Sequence, residues 1–238
     1  MDLINSLYRS FYRKIKTYFT IILNEKKETN YKIFGIGLNR TGTTTLAYAL
    51  KILGYKVAPY NQEIIKAYLN QDWYLIKRWI DSFDAFQDWP WPLMYKTLDK
   101  KYPKSKFILT KRSNVDKWYK SQIYHTLKNN KKFNTTFFTN KIVYGYFYPG
   151  FHEVNHKKFY LEYNNKVKKY FKNRKEDFIE LCWEKNSNWD NLCKFLNKQI
   201  PNVVFPHKRK SSYYYYNKIK INFEKNPIKE FGFDKNEL

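Results

Sequence analysis

The run FGIGLNRTGTTTLAYALKILGY, residues 34–55, constrains this chain more than any other stretch. Residues 31–37, YKIFGIG, are mostly apolar and end on glycine, the pattern of a buried strand. Leu46, Leu50 and Leu53 then recur at helical spacing up to a stop at Gly54. A strand, a glycine turn and a helix in immediate succession turn free backbone amides and the positive end of a helix dipole toward one point. That point suits an anion. The glycine and threonine spacing is that of a phosphate-binding loop, yet Thr43 stands where an ATPase or GTPase carries its lysine. Thr43 and Thr44 keep the hydroxyls, while Arg40, two residues before Gly42, brings positive charge from the other side of the turn. The combination favours a less charged transferable group that needs no metal; a glycine turn that serves packing alone is the alternative.

Downstream the chain alternates between strand and helix patterns. A short strand is expected around Val57, a long helix from about Gln62 to Ser82, and a second core strand in FDAFQDW, ended by Pro90. A helix from about Pro92 to Lys101 leads past Pro103 into KFILTK, the clearest buried strand. Helices over 115–127 and 153–171, the strand DFIELCW and a helix from Trp189 to Leu196 follow. Residues 129–151 read as aromatic, Asn-rich and irregular. Strands separated by helices predict an α/β fold, a mostly parallel three-layer sheet flanked by helices. The boundaries expected are a basic N-terminal extension over 1–30, a core domain over 31–210 and a C-terminal tail over 211–238.

At 238 residues one hydrophobic core is expected, much of it aromatic, since Phe, Trp and Tyr make up 21% of the chain. The formal charge of +24 suits an anionic partner: a nucleotide, an anionic glycan, a nucleic acid or an anionic membrane. It is equally what a lysine-coated surface gives. Two cysteines, Cys182 and Cys193, are too few for a disulfide framework or a four-cysteine metal site, and both fall in apolar patterns. They point to core thiols in a reducing compartment, hence a cytoplasmic location. In the first 27 residues the only uninterrupted apolar run, YFTIIL, is too short to span a bilayer. Leu3, Leu7, Phe11, Ile15 and Phe19 recur every four residues, predicting a basic amphipathic helix that docks on the body or rests on a membrane surface.

GLNRTGTTTLAYALKILGY resembles the 5′-phosphosulfate loop of the P-loop sulfotransferases, nearest the branch that reads roughly G-L-x-R-T-G-T-x-S-L. The resemblance continues in order through DAFQDWP, YPKSKFILTKRSNVDKWYKS and WDNLCKFLNKQIPNVVFPH, about residues 31–207 in all. It implies transfer of a sulfuryl group from phosphoadenosine phosphosulfate (PAPS), without a metal, to a hydroxyl or amine of a small-molecule, glycan or lipid acceptor. It further implies that Asn39, Arg40, Thr41, Gly42, Thr43, Thr44 and Thr45 form the 5′-phosphosulfate site, Arg40 also stabilising the leaving phosphate. Arg112 and Ser121 would bind the 3′-phosphate, with bidentate arginine geometry as the physical reason. The run HKRK, with Arg209, falls where the family folds a basic loop over that phosphate; a solvated basic run is the other reading.

Two departures stand out. Arg112 and Ser121 lie nine positions apart rather than the family's usual eight. The extra residue sits either in the loop SNV or in the helix, where it turns Ser121 away by about 100° and leaves Ser113 as candidate. The histidine general base of the well-studied cytosolic members is replaced by Asp88, and their preceding lysine by Phe86. Asp88, beside Trp89 and Trp91, is a candidate catalytic base with a pKa raised by desolvation, or a cap for the helix after Pro90. Lys111, Lys208 or Arg209 are candidates to replace the missing lysine. HEVNH, residues 152–156, matches a zinc-protease pattern, but Pro149 and Gly150 precede it and no glycine and third histidine follow at metzincin spacing; a surface helix with ordinary histidines is expected. A nucleoside kinase is disfavoured by the absent loop lysine. The rival from another class is a catalytically degenerate sulfotransferase fold that binds nucleic acid or other polyanions.

Overall fold

The structure, a computed structural model, describes residues 2–23, 31–128, 135–185 and 188–206. The candidates Lys208 and Arg209 and the tail over 211–238 lie outside the described residues. Four parallel strands make the sheet: β1 (Ile33–Gly35), β2 (Ala85–Phe86), β3 (Lys106–Thr110) and β4 (Phe178–Leu181), in the order β2-β1-β3-β4. Ile33 faces Ala85 on one side and Lys106 on the other, and Phe107 faces Phe178. The expected strand at Val57 is a single parallel bridge to Ala85 at the β2 edge.

Strand alternation sorts the side chains into two cores. Phe34, Phe86, Phe107 and Leu109 point to one face, where α3 (Gln62–Leu69), α4 (Trp73–Asp81), α5 (Tyr95–Lys101) and α8 (Glu153–Tyr170) cover them. Ile33, Ala85, Ile108 and Leu181 point to the other face, beneath α2 (Thr43–Ile52) and α9 (Trp189–Leu196). The result is a three-layer α/β fold. Phe34 stacks between Phe86 and Phe107, with ring centroids 5.1 and 5.6 Å apart. Burying each such ring stabilises by about 1.5–3 kcal/mol, against roughly 0.5–1.5 for stacking itself, so desolvation dominates. Cys182 and Cys193 are buried free thiols.

Two expected elements differ. The single helix over 62–82 is two helices, because the chain turns through Gln71 at φ 56° and Asp72 restarts it by accepting the Leu75 amide at 3.0 Å. Of the segment 129–151, residues 129–134 lie outside the described residues, and the rest holds helical structure: α7 (Thr135–Tyr144) and a short 3-10 turn (Pro149–His152). The β-branched residues of α7 have low helix propensity, and burial of Phe137 and Asn140 overrides it. α6 (Val115–Lys128) carries the segment between them and β3. α1 (Asp2–Leu23) lies against the loop that precedes α3, through Arg13, Thr17 and Ile21.

Candidate functional site

The sheet order places a switch point at β1: the chain leaves it for β2 on one side and returns to β3 on the other. In open parallel sheets the crevice beyond the carboxyl ends of such strands is where ligands sit. The segments following all four strands meet there. They carry the glycine loop after β1, Asp88 after β2, Arg112 after β3, and Trp183 with Glu184 after β4.

The loop shape follows from two close approaches. A Cβ at Gly37 would lie 2.1 Å from the Thr110 hydroxyl, so only glycine lets the loop start against β3. Gly42 caps α2 at φ 93°, and a Cβ there would lie 2.3 Å from the Trp183 indole, whose Nε1 donates to the Gly42 carbonyl at 3.2 Å. Arg40 is left-handed as well, at φ 67°. Thr41 turns its hydroxyl inward, onto the Leu38 carbonyl at 2.5 Å and the Thr110 hydroxyl at 2.7 Å. Asn39 is held by Gln122 and Tyr144, which donate to its side-chain oxygen at 3.2 and 3.0 Å. Thr43 and Thr44 open the helix whose first-turn amides have no intrahelical acceptor, and Thr45 is buried.

Arg40, Arg112 and Ser121 come together. The Ser121 hydroxyl accepts from Arg40 Nε at 3.2 Å and from an Arg112 terminal nitrogen at 3.4 Å. Arg112 Nε donates to the Arg40 carbonyl at 2.8 Å, and the Arg112 amide to the Tyr160 hydroxyl at 3.0 Å. Despite the nine-residue spacing, Ser121 faces Arg112 and is not turned away. Ser113 is engaged elsewhere: its amide and hydroxyl donate to Glu184 at 2.9 and 2.5 Å. Glu184 also pairs with Arg112 at 2.6 Å. Burial alone raises the pKa of Glu184, but hydrogen bonds from Ser113 and Arg112 outweigh it and hold the carboxyl below its usual range.

A cavity of about 350 Å³ opens beside this cluster, lined by Asn39, Arg40, Thr43 and Thr44 of the loop and by Tyr60, Asp88 and Trp89. His125, Thr136 and Thr139 complete it. Asp88 is half-buried at φ 68°, and its carboxylate accepts the Trp89 amide at 3.0 Å. The 3-10 turn after it (Trp91–Leu93) is capped by Pro90 without a side-chain bond, so Asp88 is not that cap. Of the two flanking tryptophans only Trp89 lines the cavity; Trp91 packs into the core against Phe86, centroids 4.7 Å apart. Phe86 is fully buried and offers the site no cation. Lys111 pairs with Glu180. Burial and the charge of Asp88 raise the pKa of Tyr60.

Of the two histidines of HEVNH, expected on a surface helix, His152 is half-buried and His156 is buried. His156 is fully buried, stacked on Trp118 at 4.6 Å with Nδ1 2.8 Å from the Tyr146 hydroxyl. His152 stacks on Tyr146 at 4.1 Å. Among the described residues no group of three or more His, Cys, Asp or Glu is arranged to hold a metal ion.

A family model described as a sulfotransferase domain matches residues 32–214. The chain belongs to the sulfotransferase family. A comparison with curated protein sequences returned no match. Among solved structures, a sulfotransferase from Alicyclobacillus acidocaldarius is 14% identical, covering 84% of this chain and 93% of that one at a TM-score of 0.46. In this sulfotransferase, sequence reasoning missed Trp183, Glu184, Tyr60 and His125. A signal existed for two of them: Glu184 lies just past a strand end, and His125 lies four residues after Ser121, on the same face of α6.

Proposed function

We propose that the protein transfers a sulfuryl group from PAPS to a hydroxyl or amine of its acceptor, leaving adenosine 3′,5′-bisphosphate. The observation that carries this reading is the meeting of Arg40 and Arg112 on Ser121, beside the amino-terminal turn of α2. Two guanidiniums fixed on one hydroxyl form a cationic cleft matched to a phosphate, and charge-assisted bonds there are about twice as strong as neutral ones. In this reading Arg112 and Ser121 hold the 3′-phosphate, with Arg209 adding a cation from beyond Pro206. Gly42, Thr43, Thr44 and Thr45 hold the 5′-phosphosulfate, and Asn39 and Thr41 keep the loop in shape.

The donor supplies a sulfuryl group already bonded to a good leaving phosphate. The chain's own residues then position and stabilise charge. Asp88 accepts the proton of the attacking hydroxyl or amine, and Arg40 with the loop amides stabilises the negative charge left on the phosphate. Tyr60, Trp89, Thr136 and Thr139 shape the acceptor side. The second reading, a polyanion-binding protein that has lost catalysis, is supported by one observation: Phe86, where well-studied members carry a lysine, is fully buried and gives the site no cation.

Incubation with labelled PAPS and a panel of phenols, sugars and lipids, in EDTA, tests the reading. The expected result is adenosine 3′,5′-bisphosphate formed in step with one sulfated product. No product with any acceptor, and DNA that displaces the bound nucleotide at physiological salt, would favour the polyanion reading instead.

A further inference from the structure

Phe11, Ile15 and Phe19, part of the stripe that made α1 look ready to dock on the body, point away from it. Phe11, Ile22, Ile15, Tyr8, Phe19 and Tyr12 follow one another round the helix within an arc of about 100°. All six are exposed, Phe11 by 65% and Phe19 and Ile22 by 59% each. The body is gripped by the opposite, polar face. Arg13 donates to Gln62 at 3.0 Å and faces Glu63 at 3.7 Å, Asn61 donates to Thr17 at 2.9 Å, and Ile21 is buried among core residues. No described residue covers the apolar arc. Helical spacing puts Arg9 and Lys16 along one border of the arc and Lys14 along the other, all three exposed. The helix has no acidic residue after Asp2.

We propose that this outer face of α1 is a peripheral docking surface for an anionic lipid bilayer. An arc of aromatic and aliphatic side chains edged by cations is the pattern of a helix lying in the headgroup plane, its apolar side sunk toward the acyl chains. No described helix is long and apolar enough to cross a membrane, so the helix lies on the surface and does not span it. Charge decides against a second copy as the occupant. Face-to-face pairing would bring the basic borders of two α1 helices together with no acid between them, whereas anionic headgroups complement them. The inner face of α1 bonds to Asn61 and Gln62, adjacent in the chain to Tyr60, which lines the cavity of Asp88.

Co-sedimentation of the full chain with vesicles of phosphatidylcholine, with and without phosphatidylserine, tests the docking independently of any sulfuryl transfer. Binding to the phosphatidylserine vesicles is expected, weakening as salt rises. The triple variant Phe11→Ala, Phe19→Ala, Ile22→Ala should bind at least ~10-fold more weakly, since apolar burial supplies much of the affinity. Reversing Arg9, Lys14 and Lys16 to Glu should abolish the lipid preference. These side chains are exposed, so circular dichroism should show both variants folded. Three results would overturn the proposal: no binding to anionic vesicles; equal binding by the triple variant, which assigns attachment to other basic surface; or a wild-type dimer in sedimentation equilibrium that the triple variant converts to monomer.

Discussion

Asp88 and Glu184 are the two carboxylates of the proposed site, and Glu184 is paired with Arg112. Asp88 lines the cavity together with Tyr60, Trp89 and Arg40. Asp88→Asn keeps the shape and removes the base. Turnover should fall roughly 100- to 10,000-fold, with donor affinity nearly unchanged and the acidic limb of the pH-rate profile lost. Persistent activity with a lower melting temperature would show that Asp88 only supports its turn. Glu184 pairs with Arg112 of the proposed donor site, so in that reading its carboxylate competes with a phosphate. Glu184→Gln should tighten binding of adenosine 3′,5′-bisphosphate by about tenfold, on the order of one charge-assisted contact, measured by calorimetry. A weaker complex would mean instead that Glu184 positions Arg112. Much of this site was legible at single positions: Arg40, Arg112 and Ser121 are brought together from three segments that sequence reasoning had singled out. Glu184 was missed although it lies just past a strand end, because that position alone carries no motif and the reach back to Ser113 and Arg112 is a tertiary contact.

Elements with strong period or punctuation were read well, and those set by tertiary contacts were not. β3 follows from an apolar run after Pro103, and α9 from the Asn188 cap and the spacing of Trp189, Leu192, Cys193 and Leu196. The break between α3 and α4 was missed because both carry apolar positions in compatible phase, and the Asp72 cap looks like any polar residue in a helix. α7 was missed because Asn140 bonds to Thr126 and the Phe147 carbonyl, contacts with no local signature. The turn between β1 and α2 is the element with least tolerance. Gly42→Ala forces a side chain into a φ of 93° and against Trp183. Backbone strain of that kind costs about 1–3 kcal/mol, before any rearrangement of the indole. The expected outcome is a melting temperature several degrees lower, together with at least tenfold weaker nucleotide binding, since the amides of α2 move with the turn. A variant with unchanged melting and binding would show that the turn and Trp183 yield freely.

At the scale of the whole molecule, buried His156 ties the packing of α6, α7 and α8 to pH. Desolvation, with a lesser contribution from His152, lowers its pKa from an ordinary 6.5 to about 3. The unfolded chain therefore binds a proton that the folded chain refuses between those values. Stability from this group is fully present above pH 6.5 and is lost as pH falls toward about 3. His156→Gln should flatten the melting-temperature profile over that window relative to wild type, and parallel profiles would show that the ring is protonated in the fold. The basic surface is a second global property, since a charge of +24 gives any polyanion some affinity. Specific recognition must therefore be measured against that background. Calorimetry comparing adenosine 3′,5′-bisphosphate with AMP, at physiological salt, isolates the contact of Arg112 and Ser121 with a 3′-phosphate. Tighter binding of the bisphosphate is predicted, with the preference mostly lost in Arg112→Ala, a change of about 1.5–3 kcal/mol for a charge-assisted bond. Equal affinities for the two nucleotides would contradict the donor assignment.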